Sequence, residues 1–462
     1  MIPSNQRRNA GPASSDLEPE VAGNPTGSSP PPGDAPGLKR LIGVNVLAFS
    51  SFNTIVGSGI FGLPALVAAL LGPAAILSYL VCAALVGLVG LCFAEVGSRV
   101  SCAGGLYAYA RVPFGPVVGG IAGTLLWCAN SVVPSAAIAN FMTDTIAGSY
   151  PLLTGGVPRA LFLLAVYLLL ALVNIRGTRT GGHLSLVAAL IKLVPLVLLV
   201  VAGCFSIHAE NLRWTAAPPV TSVGQGAVLL FFAFMGIEGG LNTSGEVMNP
   251  ARTVPRAIAL TLTLVASLYI GLQLVAQGVL GAGLAGEKAP LVATATAVFG
   301  PWGTRFLIAA TILSAAGYLS ADSLCSPRAV FALAEFGQLP RQLAAIHPRF
   351  GTPFVAIGTY CTVCFVVALS GSFRQLVIVA SSGTLLLYLV CCLGLLRLRT
   401  RELKMMGEPF RAPGGPFVPL AASAIIVWML TTLEWRELAA AAGLIVASGT
   451  VYAIRERRRA SN

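Results

Sequence analysis

Long apolar stretches alternate with short polar segments over most of the chain, and most stretches reach the roughly 20 residues that a helix needs to cross a bilayer. The approximate limits of the twelve stretches are 41–69, 73–98, 114–147, 158–175, 183–206, 222–246, 254–281, 303–336, 353–370, 374–397, 416–433 and 437–455. Inside a bilayer each backbone polar group must find a partner, and a helix supplies that partner within its own chain. The pattern therefore predicts an all-α polytopic membrane protein with twelve transmembrane helices.

Two of these stretches are interrupted near their middle by glycine and polar residues. The first contains Gly57, Ser58 and Gly59, and the sixth contains Gly236 and Glu238. Glycine is a poor helix former, and freed backbone groups within a membrane are tolerated where they line a cavity. We predict that helices 1 and 6 are broken. The alternative, that the glycines only allow close helix packing, stays open.

The two interruptions lie at the starts of two blocks of five helices. An odd number of helices per block inverts the second block, so the pattern indicates a 5+5 inverted repeat with helices 11 and 12 as accessory additions. The predicted organisation is a disordered cytoplasmic N-terminal tail at 1–38, a first repeat at 39–206, a second repeat at 222–397, accessory helices at 416–455 and a cytoplasmic C-terminal tail at 456–462.

Composition supports the membrane assignment and argues against a nucleic-acid-binding protein. Of the 462 residues 56% are hydrophobic and 10% are charged, whereas an average soluble protein has about 25% charged residues. The net charge is +12, but 22 of the 29 Lys and Arg residues lie in the tails and alternate loops, and 6 lie in the opposite loops. This positive-inside pattern predicts that both termini are cytoplasmic.

No pattern in the sequence indicates a metal site, a cofactor or catalytic residues. The ten cysteines lie mostly in apolar stretches, where they serve as small apolar side chains. The H-E-x-x-H and G-x-S-x-G motifs of zinc proteases and serine hydrolases are absent from the sequence. We therefore expect a protein that is not an enzyme and that needs no cofactor.

Short motifs in a fixed order resemble those of the amino acid–polyamine–organocation superfamily of permeases. The matching segments are 57–61, 94–97, 104–107, 231–238, 246–252, 255–257, 328–340 and 408–413. The resemblance implies the leucine-transporter type of fold, with inverted five-helix repeats, and an amino acid as the transported solute.

The break in helix 1 offers backbone groups suited to one end of a zwitterion. The N–H groups of Ser58, Gly59 and Ile60 lie at the positive end of a half-helix, which favours a carboxylate. The resemblance assigns substrate binding to the same positions.

Carbonyl groups at the two breaks suit the other end of a zwitterion, the ammonium group. The candidates are the carbonyl oxygens of Ile55, Phe232 and Met235. The Phe232 side chain, with Trp127 and Asn130 of helix 3, forms the predicted side-chain pocket, although helical spacing also allows these residues to be ordinary core.

Lys192 lies about nine residues into helix 5, or roughly 13 Å along the helix axis. A charged lysine at that depth is costly, and a lysine that loses its proton when access changes could couple transport to a proton gradient. In some sodium-independent members of the family, a lysine of helix 5 takes the place of a sodium ion. Asp322 in helix 8 is a candidate partner, and a permanent Lys192–Asp322 pair would argue against coupling.

Two glutamates have different expected roles. The resemblance assigns gating to Glu238, and the alternative is that its carboxylate satisfies freed backbone N–H groups. Glu95, near the end of helix 2, is expected to pair with loop arginines.

Together these features predict a proton-coupled symporter of neutral amino acids that works by alternating access. Its expected location is the cytoplasmic membrane, and its expected partners are the amino acid, protons and the lipid bilayer, with no nucleic acid. Two alternatives stay open: an amino acid/amine exchanger, and a membrane sensor that binds amino acids without transporting them.

Overall fold

The computed structural model describes residues 43–100, 105–177, 183–214, 216–237, 250–335, 339–400 and 410–439, and six positions between 442 and 450. Throughout these residues the chain forms helices and short connections, with no strand. The tails predicted at 1–38 and 456–462 lie outside the described residues.

The first half of the described chain contains eight α-helices. They are α1 Val44–Ile55, α2 Leu63–Leu71, α3 Ile76–Arg99, α4 Leu106–Phe114, α5 Pro116–Trp127, α6 Val133–Ala147, α7 Gly156–Arg176 and α8 His183–Gly203. A 3₁₀ turn at Ser58–Phe61 precedes α2, and a π-helical turn at Cys128–Val132 joins α5 to α6.

Seven more α-helices follow within the described residues. They are α9 Val220–Phe234, α10 Pro250–Leu280, α11 Pro290–Phe299, α12 Pro301–Glu335, α13 Phe354–Ser370, α14 Phe373–Thr400 and α15 Phe417–Thr431.

Several of these helices have the length and composition of membrane spans. In the described part of the chain, six helical segments are long and apolar enough to cross a membrane: Leu63–Arg99, Pro116–Ala147, Gly156–Arg176, Arg252–Gly286, Pro301–Phe331 and Phe373–Thr400. Six shorter apolar helices of 10–17 residues accompany them. The prediction of an all-helical polytopic membrane protein is confirmed at this level.

Proline and glycine set several of the helix ends. Pro64, Pro134 and Pro290 lie in the first turns of α2, α6 and α11, where the missing N–H has no partner to lose. Helix α11 ends at Phe299 and is followed by Gly300, whose φ of 68° is in the left-handed region. Glycine adopts that conformation without a steric penalty.

Burial separates a central helix from a peripheral one. In the most apolar stretch of α14, 72% of the residues are buried, against 17% in α7. The outer face of α7 exposes large apolar side chains, including Leu161, Leu168 and Leu169. Such a face is stable against lipid and costly against water, so α7 lies at the periphery and α14 near the centre.

Aromatic side chains hold the end of α9 against this central helix. The Tyr388 ring of α14 meets Phe93 of α3 at a centroid distance of 4.9 Å and Phe231 of α9 at 5.5 Å, both edge to face. Each such pair contributes about 0.5–1.5 kcal/mol beyond area burial. The contacts therefore fix α3, α9 and α14 around the C-terminal end of α9.

Candidate functional site

The first apolar stretch is broken where the sequence predicted. Helix α1 ends at Ile55, and Val56 and Gly57 have extended backbone conformations with ψ values of 91° and −169°. The chain then turns through Ser58–Phe61 before α2 begins. The break separates α1 from α2 within one predicted membrane span.

The residues after this break are buried and carry N–H groups without helical partners. Ser58, Gly59 and Ile60 are all buried. The first N–H groups of a helical segment have no acceptor within that segment. The Ser58 hydroxyl is also buried and has no protein hydrogen-bond partner. The turn thus presents polar donors inside an otherwise apolar region.

The carbonyls before the break have found side-chain donors. In a continuous helix the Asn53 carbonyl would accept the N–H of residue 57. Here Lys192 of α8 donates to that carbonyl, with Nζ 2.5 Å from the oxygen. A cation at the C-terminal end of a half-helix also interacts favourably with the helix dipole.

The sixth apolar stretch also leaves its helix near its middle. Helix α9 ends at Phe234, Met235 is extended with ψ of 153°, and Gly236 has φ of 105°. Glu238, the expected gating residue, and the residues after it to 249 lie outside the described residues.

The two breaks touch each other. A Cβ atom built on Gly236 would lie 3.2 Å from the Thr54 carbonyl oxygen. A Cβ atom on Gly59 would lie 2.8 Å from the Phe232 ring. Gly236 packs on the backbone before the helix 1 break and has a φ of 105°, which favours glycine, whereas Gly59 packs on the Phe232 ring and leaves no room for a larger side chain without a shift.

Tyr269 of α10 bridges the two breaks. Its hydroxyl lies 3.3 Å from the Ile55 carbonyl oxygen and 3.0 Å from the Ala233 carbonyl oxygen, and the side chain is fully buried. A phenol has one hydrogen, so it donates to these two acceptors alternately or shares its proton between them. The Ile55 carbonyl, predicted to accept a substrate ammonium, therefore already contacts a donor.

Phe232 lies at the junction of the breaks. Its ring meets Phe373 of α14 edge to face at 6.3 Å, and Phe373 in turn packs on Phe141 of α6 at 5.1 Å. Phe232 therefore forms an apolar wall beside the helix 1 turn.

Trp127 and Asn130 lie at the turn between α5 and α6. Asn130 is within the π-helical turn, a feature that often occurs at functional sites. Trp127 meets Tyr360 of α13 at a ring distance of 6.4 Å, and its buried indole N–H has no protein partner. These contacts group Trp127 with α13, while Phe232 packs towards Phe373.

Asp322 and Lys192 have different partners. Lys192 donates to the Asn53 carbonyl, as above, whereas Asp322 contacts the hydroxyls of Ser131, Ser326 and Tyr360. The ion pairs found among the described residues do not include either group. The pair that would have argued against a coupling role for Lys192 is therefore not formed in this structure.

Glu95 pairs with arginines, as expected. Its carboxylate accepts hydrogen bonds from Arg99 at 2.8 Å, from Arg399 of α14 at 2.5 Å and from the Ala412 backbone N–H at 2.8 Å. The Glu95 side chain is fully buried. This network joins α3, α14 and the segment that leads to α15.

Comparison with known proteins decides the family. A family model described as amino acid permease matches residues 42–450. The chain belongs to the amino acid permease family.

Similar proteins differ in the solutes that their names state. The serine/threonine exchanger SteT of Bacillus subtilis is 28% identical over 92% of this chain and 99% of its own. The branched-chain amino acid permease BcaP of Lactococcus lactis is 28% identical over 82% of this chain and 87% of its own. The human cationic amino acid transporter 4 is 29% identical over 84% of this chain and 64% of its own. These matches confirm a transport protein rather than an enzyme, with amino acids as the solute class.

Sequence reasoning did not single out Tyr269 or Ser131 of this permease. A single tyrosine in an apolar stretch indicates a buried hydrogen bond, because its hydroxyl needs a partner. The partners of Tyr269 are carbonyls of two other helices, which the local sequence does not identify. Spacing alone does not distinguish Ser131 from the other serines of the apolar stretches, so the sequence did not indicate its contact with Asp322.

Replacing Tyr269 with phenylalanine is expected to destabilise the permease, because the Ile55 and Ala233 carbonyls lose their shared donor. An unsatisfied buried polar group costs about 1–3 kcal/mol. The thermal unfolding midpoint in detergent measures the effect.

The matched control for this substitution is Tyr167→Phe, which removes a buried hydroxyl 3.3 Å from Ser135 alone. A smaller decrease in the midpoint is expected for this variant, because the serine can turn to another acceptor. Equal decreases for the two variants would contradict a bridging role of Tyr269.

Proposed function

We propose that this permease is a proton-coupled symporter of neutral amino acids in the cytoplasmic membrane, working by alternating access. The observation that supports it most is the contact between the helix 1 break and the end of α9, with Lys192 on a carbonyl that the break frees. Backbone groups at such breaks can bind both ends of a zwitterion.

The proposal includes an architecture of twelve spans with a 5+5 inverted repeat, divided at 39–206 and 222–397, and accessory helices at 416–455. Breaks at corresponding places in the two blocks support this division. Both termini are cytoplasmic in the proposal, in accord with the distribution of Lys and Arg.

The substrate carboxylate is proposed to bind the N–H groups of Ser58, Gly59 and Ile60. Their burial supports this role, because a hydrogen bond to a charged group is stronger away from water. The Ser58 hydroxyl, which has no protein partner, is a further donor at the same place.

The substrate ammonium is proposed to bind the carbonyls of Ile55, Phe232 and Met235. A carbonyl oxygen has two lone pairs, so the Ile55 carbonyl can accept from Tyr269 and from the substrate together. Met235 is extended rather than helical, which frees the backbone around it.

The substrate side chain is proposed to contact Phe232, Trp127 and Asn130. The apolar surfaces of Phe232 and the neighbouring Phe373 favour a neutral side chain. Thermal-shift measurements with each of the twenty amino acids test this preference, and stabilisation by lysine or arginine alone would contradict it.

Lys192 is proposed to couple uptake to proton movement. Its ammonium fixes the end of α1 through the Asn53 carbonyl, and loss of the proton would weaken that charge-assisted hydrogen bond. Helix α1 would then be released to move, which links protonation to access. The gating role of Glu238 is also kept as a proposal, and it is supported by the family resemblance alone.

Replacing Lys192 with methionine is expected to abolish the concentration of substrate against its gradient, because the protonatable group is lost while the apolar stem is kept. In proteoliposomes containing the wild-type permease, an inward proton gradient should drive accumulation without sodium. The measurement is uptake of radiolabelled neutral amino acids with and without each gradient.

Lys288→Met provides the control for this experiment, because Lys288 is exposed between α10 and α11. Accumulation by this variant should match the wild type. Sodium-dependent uptake by the wild type, or proton-driven accumulation by Lys192→Met, would contradict the proposal.

An amino acid exchanger is the second candidate function, favoured by the similarity to a serine/threonine exchanger over nearly its full length. An exchanger needs substrate on both sides of the membrane, whereas a symporter does not. Uptake into empty vesicles driven by a proton gradient supports symport. Uptake only into vesicles loaded with amino acid would support exchange.

A further inference from the structure

Asp322 of α12 lies in a cluster of hydroxyl groups that the proposed transport mechanism does not use. Ser131 belongs to the π-helical turn after α5, Ser326 lies one turn further along α12, and Tyr360 belongs to α13. Three of the oxygens form a triangle: Asp322 Oδ1 lies 3.0 Å from Ser131 Oγ and 2.6 Å from Ser326 Oγ, and the two serine oxygens are 2.6 Å apart. The Tyr360 hydroxyl donates to the other carboxyl oxygen, Oδ2.

The number of hydrogens in this cluster favours a protonated carboxyl group. The triangle and the tyrosine contact make four close oxygen pairs, and Ser131, Ser326 and Tyr360 supply one hydrogen each. A hydrogen on the carboxyl group gives each of the four pairs a donor of its own.

The charges around the cluster agree with this count. The ion pairs of the described residues join Glu95 to two arginines and Asp144 to Arg159, and none involves Asp322. A buried carboxylate without a paired cation is costly. The hydroxyls satisfy the hydrogen-bonding capacity of the carboxyl group but do not neutralise a charge.

Among the described residues, the titratable groups that interact with Asp322 from neighbouring helices include no Lys, Arg or His. Tyr360, Cys361 and Cys364 come from α13, and Tyr167 comes from α7.

Arg328 of α12 and Lys192 of α8 are bonded to backbone carbonyls instead of to Asp322. On α12 itself, the Arg328 guanidinium donates to the Leu324 carbonyl. On α8, Lys192 donates to the Asn53 carbonyl.

We propose that Asp322, with Ser131, Ser326 and Tyr360, forms a proton-binding site within the membrane that is separate from Lys192. Its ligand is a single proton, which is held on the carboxyl group in this structure. Release of that proton to water leaves three hydrogens for these four pairs, so one pair loses its own donor and the cluster is loosened.

Opening of the cluster would act on the packing of three helices. Ser131 ties the π-helical turn to α12, and Tyr360 ties α13 to α12. The proton therefore controls how tightly α12 is held against the π-helical turn and against α13.

Infrared difference spectroscopy on the purified full-length permease tests this site without any transport measurement. Between acid and alkaline pH, the wild type should lose one carboxylic-acid carbonyl band, and that band should move in deuterium oxide. In the Asp322→Asn variant the band should be missing. Ser326→Ala and Tyr360→Phe keep the carboxyl group but remove one hydrogen-bond partner each, so the band should remain with a shifted frequency.

Asp144→Asn is the matched control, because Asp144 is a carboxylate paired with Arg159, and it should leave the band unchanged. A band that persists in Asp322→Asn, or a wild type without such a band, would overturn the proposal. Loss of the band on addition of lysine would also overturn it, because Asp322 would then be a receptor for a cationic substrate. If Asp322→Asn fails to fold, the frequency shifts in the two partner variants decide the question.

Discussion

Replacing Glu95 with glutamine is expected to lower the free energy of unfolding by about 3–5 kcal/mol, the usual cost of removing one partner from a buried ion pair. The carboxylate has two arginine partners and a backbone donor, and it is fully buried. A neutral amide leaves Arg99 and Arg399 with uncompensated charges and cannot accept all of their N–H groups. The thermal unfolding midpoint in detergent should fall sharply.

Asp144→Asn is the matched control, since it makes the same chemical change in a partly exposed pair. Asp144 and Arg159 are 2.6 Å apart, with 27% and 18% of their side chains exposed. Exposed ion pairs contribute only about 0–1 kcal/mol, and Arg159 keeps its hydrogen bond to Asn140. Similar losses for the two variants would show that the Glu95 network has no special structural importance.

Replacing Gly59 with valine is expected to weaken substrate binding by roughly 5–150-fold, which corresponds to an overpacking cost of about 1–3 kcal/mol. The new Cβ would lie 2.8 Å from Cδ1 and 2.9 Å from Cε1 of Phe232. That ring cannot retreat freely, because Phe373 packs against it. The clash therefore moves the helix 1 turn or the apolar wall beside it. Equilibrium binding of a neutral amino acid measures the effect.

A second substitution separates steric overlap from general damage. Phe232→Leu in the Gly59→Ala background should restore part of the binding lost in Gly59→Ala, because the smaller side chain makes room for the methyl group. Gly358→Ala in α13 should bind normally, since no atom lies within 4 Å of its added Cβ. Strictly additive losses for Gly59→Ala and Phe232→Leu would contradict direct contact between the two positions.

The Glu95 network and the contact between the breaks act on different parts of the permease. Glu95 ties α3 to α14 and to the segment before α15. Gly59 and Gly236 set how closely helices 1 and 6 approach. The Glu95 substitution should therefore change stability more than binding, and the Gly59 substitution should change binding more than stability.

Local sequence was sufficient to locate the break in helix 1 and the helix end in span 6. Glycine and serine within an apolar stretch determine where a membrane helix loses its backbone hydrogen bonds. The position of such a point depends on only a few consecutive residues. The ends of α1 at Ile55 and of α9 at Phe234 follow from that property. The depth of Lys192 in an apolar stretch was also visible without a structure.

The hydrogen-bond partners of the buried polar side chains were decided only by the tertiary structure. Lys192 could have paired with Asp322, but it reaches a carbonyl freed 139 residues earlier in the chain. Tyr269 bridges two carbonyls, one at the end of α1 and one at the end of α9, and Asp322 meets hydroxyls from the π-helical turn and from α13. Periodicity along one helix shows which residues share a face, but not which face of another helix lies opposite. That choice depends on the packing of the whole bundle, where each buried polar group must find its donor or acceptor.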